Sequence, residues 1–161
     1  VPVVYDHFAS KQALFQRLLE RHYGDLQRIW VEHLGRDALT AERLGGAVDA
    51  WYAYVEAHPF AARILFRADT GDAELDAIHR EVAAASRDAL LPMLDEQPAV
   101  TATAGSPAGV ELVWEVFRAT MQGLAVWWAE HPEVPREQLV ATTMNALWLG
   151  YERVGAGETW G

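Results

Sequence analysis

Cysteine is absent from the 161-residue sequence, which excludes disulfide bonds, thiolate chemistry and cysteine-based zinc sites. No apolar run is long enough to span a bilayer and no secretory signal is recognisable, so we expect a cytoplasmic protein. Two motifs of enzymes are also missing, the Gly-x-Ser-x-Gly elbow and the glycine-rich phosphate loop. We therefore expect neither enzymatic activity, with no catalytic residues, nor a cofactor.

Positive charge is scarce, because 13 Lys and Arg residues stand against 23 Asp and Glu residues and give a net charge of −10. Proteins that bind nucleic acid are usually basic, since the neutralisation of phosphates supplies much of the affinity. The charge argues against nucleic-acid binding by most of the chain, but it allows a small basic head on an acidic body.

Alternating patterns typical of β-strands are missing, whereas helical spacing of apolar residues recurs throughout the chain. The sequence predicts an all-α fold, an antiparallel bundle of about six helices. Capping residues and prolines predict these helices: Ser10 to about Leu34, Thr40 to His58, Pro59 to Arg67, about Asp72 to Leu94, about Ala108 to Glu130, and Pro135 to about Gly155. The segment Gln97–Gly109, rich in Pro, Ala, Thr and Gly, predicts a loop.

The first stretch of the chain has the pattern of a helix end, a tight corner and the start of a long second helix. Tyr5, His7 and Lys11 lie around this corner, and Ser10 is a good N-cap for the second helix. A hydroxyl, an imidazole and an ammonium group are suited to holding phosphates. The ordinary alternative is a surface corner with polar side chains.

The segment Tyr5-Asp6-His7-Phe8-Ala9-Ser10-Lys11-Gln12-Ala13-Leu14-Phe15 resembles the hallmark of TetR-family transcriptional regulators. Glu56-Ala57-His58-Pro59 and the run from Gly123 to Pro132 also resemble that family. The resemblance implies that residues 1–9 are the remnant of a helix-turn-helix recognition helix. It also implies that residues 10–161 form a ligand-binding and dimerisation domain. Because the sequence starts at Val1 inside the motif, we expect earlier helices of a DNA head to be missing.

By the same resemblance, the first residues would contact operator DNA. Those expected to face the operator are Val1, Pro2, Val3, Tyr5 and Asp6, and those expected to hold phosphates are Tyr5, His7 and Lys11. The carboxylate of Asp6 would repel phosphate, but it could accept a hydrogen bond from a cytosine amino group. The start of the helix after Ser10 also favours anions.

Aromatic residues are numerous and recur on several helices, which is typical of a core but also of a pocket for a drug-sized molecule. The candidate ligand-binding residues are Trp51, Tyr52, Tyr54, His58, Phe66, Trp114, Phe117, Arg118, Met121 and Gln122. Arg118 and Gln122 share a helix face with Glu111 and Glu115. That face could line a pocket or could be a solvated face with pairs three and four residues apart.

The last two helices are apolar on more than one face, which predicts a symmetric dimer through a four-helix bundle. The candidate dimerisation residues are Trp127, Leu139, Thr143, Ala146, Leu147, Gly150 and Tyr151. The alternative is packing within one chain. The histidines lack ligand-like partners, and no His-Glu-x-x-His segment occurs, so we expect no metal site.

These features together predict a ligand-responsive repressor that binds operator DNA in its full-length form. A small apolar or aromatic effector would shift the long helix that starts at Ser10 and release the DNA. Two alternatives stay open. One is a helical enzyme or small-molecule carrier without a role at DNA, and the other is a dimeric interaction module whose aromatic residues are only core.

Overall fold

A computed structural model describes residues 10–35, 39–66, 70–97, 100 and 107–158; it leaves out the side chains of residues 107, 151, 154 and 155. Six α-helices lie within these residues, and no strand occurs among them, which confirms the predicted all-α bundle. The helices are α1 (Lys11–Leu34), α2 (Ala41–Ala57), α3 (Pro59–Leu65), α4 (Ala73–Asp95), α5 (Pro107–Trp128) and α6 (Arg136–Gly155). The predicted head, residues 1–9, lies outside the described residues.

The ends of α1 follow from the residues that flank it. The side-chain oxygen of Ser10 accepts a hydrogen bond from the backbone N–H of Ala13 at 3.0 Å, which satisfies a free donor at the helix start. Gly35 ends the helix with φ at +52°, a left-handed value that a side chain disfavours, and its N–H donates to the carbonyl of Val31. Both ends were predicted from the sequence.

Proline and aspartate set the next boundaries. Pro59 opens α3, where its missing N–H costs nothing, and the helix ends at Leu65, two residues before the predicted Arg67. The carboxylate of Asp72 caps α4 by accepting from the next turn. Pro92 lies inside α4, which continues to Asp95 and therefore ends one residue beyond the predicted Leu94.

The prediction of a loop over Gln97–Gly109 is wrong at Val100, which is helical, and from Pro107 onward, where α5 begins. Gln97 is buried, and its side-chain oxygen accepts a hydrogen bond from the backbone N–H of Leu39 at 2.7 Å. Val100 is buried beside Val110 and Val113. The helix α5 then begins at Pro107, inside the range expected to be irregular. The Pro, Ala, Thr and Gly composition of the segment does not reveal that Gln97 and Val100 are buried.

Helix α1 is the central element, because it packs against both α2 and α4 and also touches α3. Its buried face carries Leu19, Leu26, Trp30 and Leu34, which recur at helical spacing. Helix α2 packs on its other side against α6. Helix α1 therefore lies between α2 and α4 and contributes to the packing of both.

Candidate functional site

A cavity of about 350 Å³ lies among α1, α4 and α5 and reaches the end of α3. Its volume is within the range of small-molecule sites. Its walls are largely aromatic and aliphatic, comprising Leu26, Trp30, Trp51, Leu65, Phe66, Leu90, Trp114, Phe117 and Met121. Trp51 and Phe66 stack with ring centroids 5.4 Å apart, and Trp30 meets Phe117 edge to face at 5.3 Å. Such walls favour an apolar or aromatic molecule.

Polar side chains line one part of the same cavity. The guanidinium of Arg118 donates to Glu115 Oε2 at 2.5 and 3.0 Å and to Gln122 Oε1 at 2.7 Å. Both interpretations of this helix face, a pocket wall and a face of paired side chains, therefore apply. The residues pair with one another three and four positions apart, and all three also line the cavity. A bound acceptor would compete with these pairs for the guanidinium.

Two further polar groups meet at a single carbonyl in the wall. The hydroxyl of Tyr23 donates to the carbonyl of Leu65 at 3.1 Å, and Nε2 of His79 lies 2.7 Å from the same oxygen. Burial raises the pKa of Tyr23 to about 12, although Arg118 opposes the shift, so the phenol stays protonated and remains a donor. This carbonyl ties α1 and α4 to the end of α3 beside the cavity.

A second, smaller cavity of about 40 Å³ adjoins the first and is lined by apolar side chains. Four residues belong to the walls of both cavities: Trp30, Leu90, Trp114 and Phe117. The rest of its wall comes from Leu34, Leu39, Leu44, Met93, Leu94, Val100 and Val113. The two spaces therefore share part of their walls.

Seven of the ten candidate ligand-binding residues line the larger cavity: Trp51, Phe66, Trp114, Phe117, Arg118, Met121 and Gln122. Tyr52 does not; it is fully buried between α2 and α6, and its hydroxyl lies 2.9 Å from Oγ1 of Thr143. Tyr54 and His58 also lie outside the wall. Helical spacing placed Tyr52 and Tyr54 on α2 but did not reveal which neighbouring helix each one faces.

Tyr54 and His58 instead form a polar cluster with His22 and Asp25 of α1. The hydroxyl of Tyr54 donates to Asp25 Oδ2 at 3.0 Å and lies 2.5 Å from Nδ1 of His22. The rings of Tyr54 and His58 stack with centroids 4.2 Å apart. Burial, then the nearby His58 and Arg21, lower the pKa of His22 in spite of the opposing carboxylate of Asp25.

The contribution of α4 to the cavity was not predicted from the sequence. This helix supplies His79, Arg80, Ala83, Ala84, Ser86, Arg87 and Leu90. The run Val82-Ala83-Ala84-Ala85-Ser86 holds the signal that could have found it, because side chains this small cannot fill the space opposite tryptophan rings. Tyr23 and Trp30 of α1 were missed as well.

Of the candidate DNA-binding residues, Val1, Pro2, Val3, Tyr5, Asp6 and His7 lie outside the described residues. Lys11 lies in the first turn of α1 with an exposed side chain, and its ammonium is 4.0 Å from the carboxylate of Asp72. Gln12 donates to Glu74 at 3.1 Å. These two contacts connect the start of α1 to the start of α4.

The candidate dimerisation residues divide into two groups. Leu139, Thr143 and Leu147 are buried in the chain itself, which leaves them little surface for contact with a partner. Ala146 and Gly150 are exposed on α6, as is Trp127 on α5, where its ring stacks on His131 at 4.0 Å. Tyr151 belongs to α6, but its side chain is outside the description.

A stripe of exposed apolar and small residues runs along α5. Leu112, Val116 and Trp127 are 66%, 53% and 43% exposed, and Ala119 and Gly123 lie between them at helical spacing. Such a row of exposed apolar and small side chains is unusual for a surface that only meets water.

Within the described residues, no group of three or more His, Asp or Glu side chains could hold a metal ion. None of the described helices combines the length and the apolar character needed to cross a membrane.

Comparison with known proteins gives one informative similarity. No protein-family model matches the chain. The chain is similar to the HTH-type transcriptional activator FasR of Mycolicibacterium smegmatis, with 23% identity over 154 residues. The aligned region covers 95% of this chain and 68% of that protein.

Proposed function

We propose that this chain is the effector-binding and dimerisation part of a DNA-binding transcription regulator of the TetR type. The distant similarity to an HTH-type transcriptional activator supports the regulator role. The single observation that supports a response to a ligand is the position of α1. This helix walls the 350 Å³ cavity through Tyr23, Leu26 and Trp30, and it begins at the corner that holds Lys11.

The proposed mechanism is a displacement of α1 by a bound effector. The helix has 24 residues. A tilt of about 3° over its length of roughly 36 Å moves its tip by about 2 Å. In a dimer the two recognition helices must lie roughly 34–36 Å apart to enter successive major grooves, so a displacement of this size changes operator affinity. The effector acts only through its different affinity for the two arrangements.

The connection to α4 gives the effector a second route to the same corner. Helix α4 supplies cavity-lining residues from His79 to Leu90. Its first turn holds the first turn of α1 through the Lys11–Asp72 and Gln12–Glu74 contacts. Both contacts are exposed and individually weak, so they transmit a shift without fixing one arrangement.

The dimer in this proposal uses the exposed apolar stripe of α5 together with Ala146 and Gly150 of α6. Light scattering after gel filtration is expected to give twice the 17.9 kDa mass of the chain. Ala146→Glu should reduce the mass toward that of the monomer, because a carboxylate would be buried in the interface. Ala77→Glu, on the exposed face of α4, is the matched control and should leave the dimer intact.

Operator binding by the complete gene product tests the regulator role. DNA fragments selected from a random-sequence pool are expected to share one motif with two-fold symmetry. Operator affinity should then fall when an effector extracted from the native cells is added, as expected for a repressor; a rise would assign an activator, as in the relative's name. Selection of no DNA motif, together with small-molecule binding in the cavity, would favour the alternative of a helical carrier or enzyme.

A further inference from the structure

One polar group in the cavity wall has no partner. The indole N–H of Trp114 is shielded from solvent and makes no hydrogen bond, and it is the one buried side-chain N or O in this condition within the described part of the chain. Buried polar groups are nearly always paired, so an orphaned donor calls for an explanation.

The location of Trp114 supplies that explanation. Its ring lies in the wall common to the 350 Å³ cavity and the 40 Å³ cavity, together with Trp30, Leu90 and Phe117. Because the N–H is shielded, an acceptor cannot reach it in the present arrangement. A displacement of the ring would open the wall between the two cavities and would expose the N–H to their combined space.

The two cavities differ in chemistry. The larger one has Arg118, Gln122 and Glu115 in its wall. The smaller one is lined by apolar side chains such as Leu44, Met93 and Val113. A molecule that occupied both would pass Trp114 at the boundary between a partly polar and an apolar space.

We propose that Trp114 is a specificity-determining residue of the effector site, a movable partition whose N–H donates to the effector. The effector class is an apolar molecule that carries an uncharged hydrogen-bond acceptor, such as a carbonyl, where it passes the ring. This inference rests on the proposed function, since it assumes that the cavity binds an effector. The acceptor satisfies a donor that is unpaired in the free protein, so its loss costs about tenfold in affinity.

Two probes of the same shape test the proposal: 2-acetylnaphthalene, which has a carbonyl acceptor, and 2-isopropylnaphthalene, which has none. The indole N–H signals of the full chain are followed by ¹⁵N–¹H correlation spectra, and Trp114→Phe assigns the signal of Trp114. We expect the acetyl probe to move this signal downfield, the isopropyl probe to leave it at a non-hydrogen-bonded position, and the acetyl probe to bind about tenfold more tightly.

The matched variant is Trp30→Phe, which removes an indole from the same wall and should retain the preference for the acetyl probe. In Trp114→Phe the preference should disappear while both probes still bind. Three results overturn the inference but leave the proposed function standing. They are an unchanged Trp114 signal at saturation, a preference for the acetyl probe that survives in Trp114→Phe, and a preference that is lost equally in Trp30→Phe. If neither probe binds, both the inference and the effector-binding part of the proposed function are overturned. The operator experiment tests the DNA role separately.

Discussion

The buried hydrogen bond between Tyr52 and Thr143 offers a direct test of how the structure reassigns these two residues. The sequence suggested a ligand contact for Tyr52 and a partner contact for Thr143. In the structure their side chains are 0% and 1% exposed, and their hydroxyl oxygens lie 2.9 Å apart between α2 and α6. Burial raises the pKa of Tyr52 to about 12 against the effect of this hydrogen bond, so the phenol is neutral at every working pH.

We expect Tyr52→Phe to destabilise the chain by about 1 kcal/mol, because Oγ1 of Thr143 then loses its partner where water cannot reach it. Thr143→Val should cost about 1–2 kcal/mol for the converse reason. The double variant removes both polar groups, so its loss should be about 1 kcal/mol smaller than the sum of the single losses. With a urea slope of about 2 kcal/mol per molar, Tyr52→Phe lowers the unfolding midpoint by about 0.5 M.

Urea unfolding followed by circular dichroism measures these differences, at several protein concentrations because dimerisation would shift the midpoint. Losses that simply add in the double variant would show that the hydrogen bond contributes nothing. Full stability of Tyr52→Phe combined with weaker binding of 2-acetylnaphthalene would refute the reassignment and return Tyr52 to the ligand site.

Three other predictions address a helix end, a titrating group and the cavity. Gly35→Ala should destabilise the chain by about 1–2 kcal/mol, because φ is +52° and a Cβ would lie 3.2 Å from the guanidinium of Arg43. Gly24→Ala is the control: a Cβ there meets nothing within 4 Å, so this variant should stabilise the chain by up to about 1 kcal/mol. Thermal unfolding measures both differences. The pKa of His22 is lowered in the folded chain, so below pH about 6.5 this side chain takes up a proton more readily in the unfolded chain than in the folded chain. The free energy of unfolding should therefore fall as the pH drops below that value. Urea titrations should show a smaller fall in His22→Gln. Ala83→Trp should weaken 2-acetylnaphthalene binding at least about tenfold by filling the larger cavity, and the exposed neighbour variant Ala85→Trp should bind as the unmodified chain does; equal binding by both would place the probe elsewhere.

The sequence predicted the helices well because their ends depend on local chemistry. Ser10, Thr40 and Asp72 each accept hydrogen bonds from the turn that follows, and a cap of this kind is readable from a few residues. Gly35 and the His58–Pro59 pair end helices for reasons that are equally local. The fold class and most boundaries therefore needed no knowledge of tertiary contacts.

The site was only partly predictable, because a helical period shows which residues share a face but not which helix covers it. Trp51 and Tyr52 are adjacent on α2, yet one faces the cavity and the other faces α6. The sequence predicts Gln97 at the start of a loop, but it does not reveal that the side chain accepts a hydrogen bond from the backbone N–H of Leu39. These assignments depend on contacts between residues distant in the chain, and no window of the sequence contains both partners.

In the proposed function, α1 connects the cavity to the corner at Lys11, although Lys11 does not line the cavity. A helix that was buried uniformly along its length would resist displacement, because close packing leaves no space to move into. Here the middle of α1, through Leu26, faces the cavity, while exposed polar contacts of Lys11 and Gln12 join the first turn of α1 to α4. In the proposed mechanism, a ligand in the cavity therefore acts on α1 where space is available, and the first turn of the helix follows the resulting tilt.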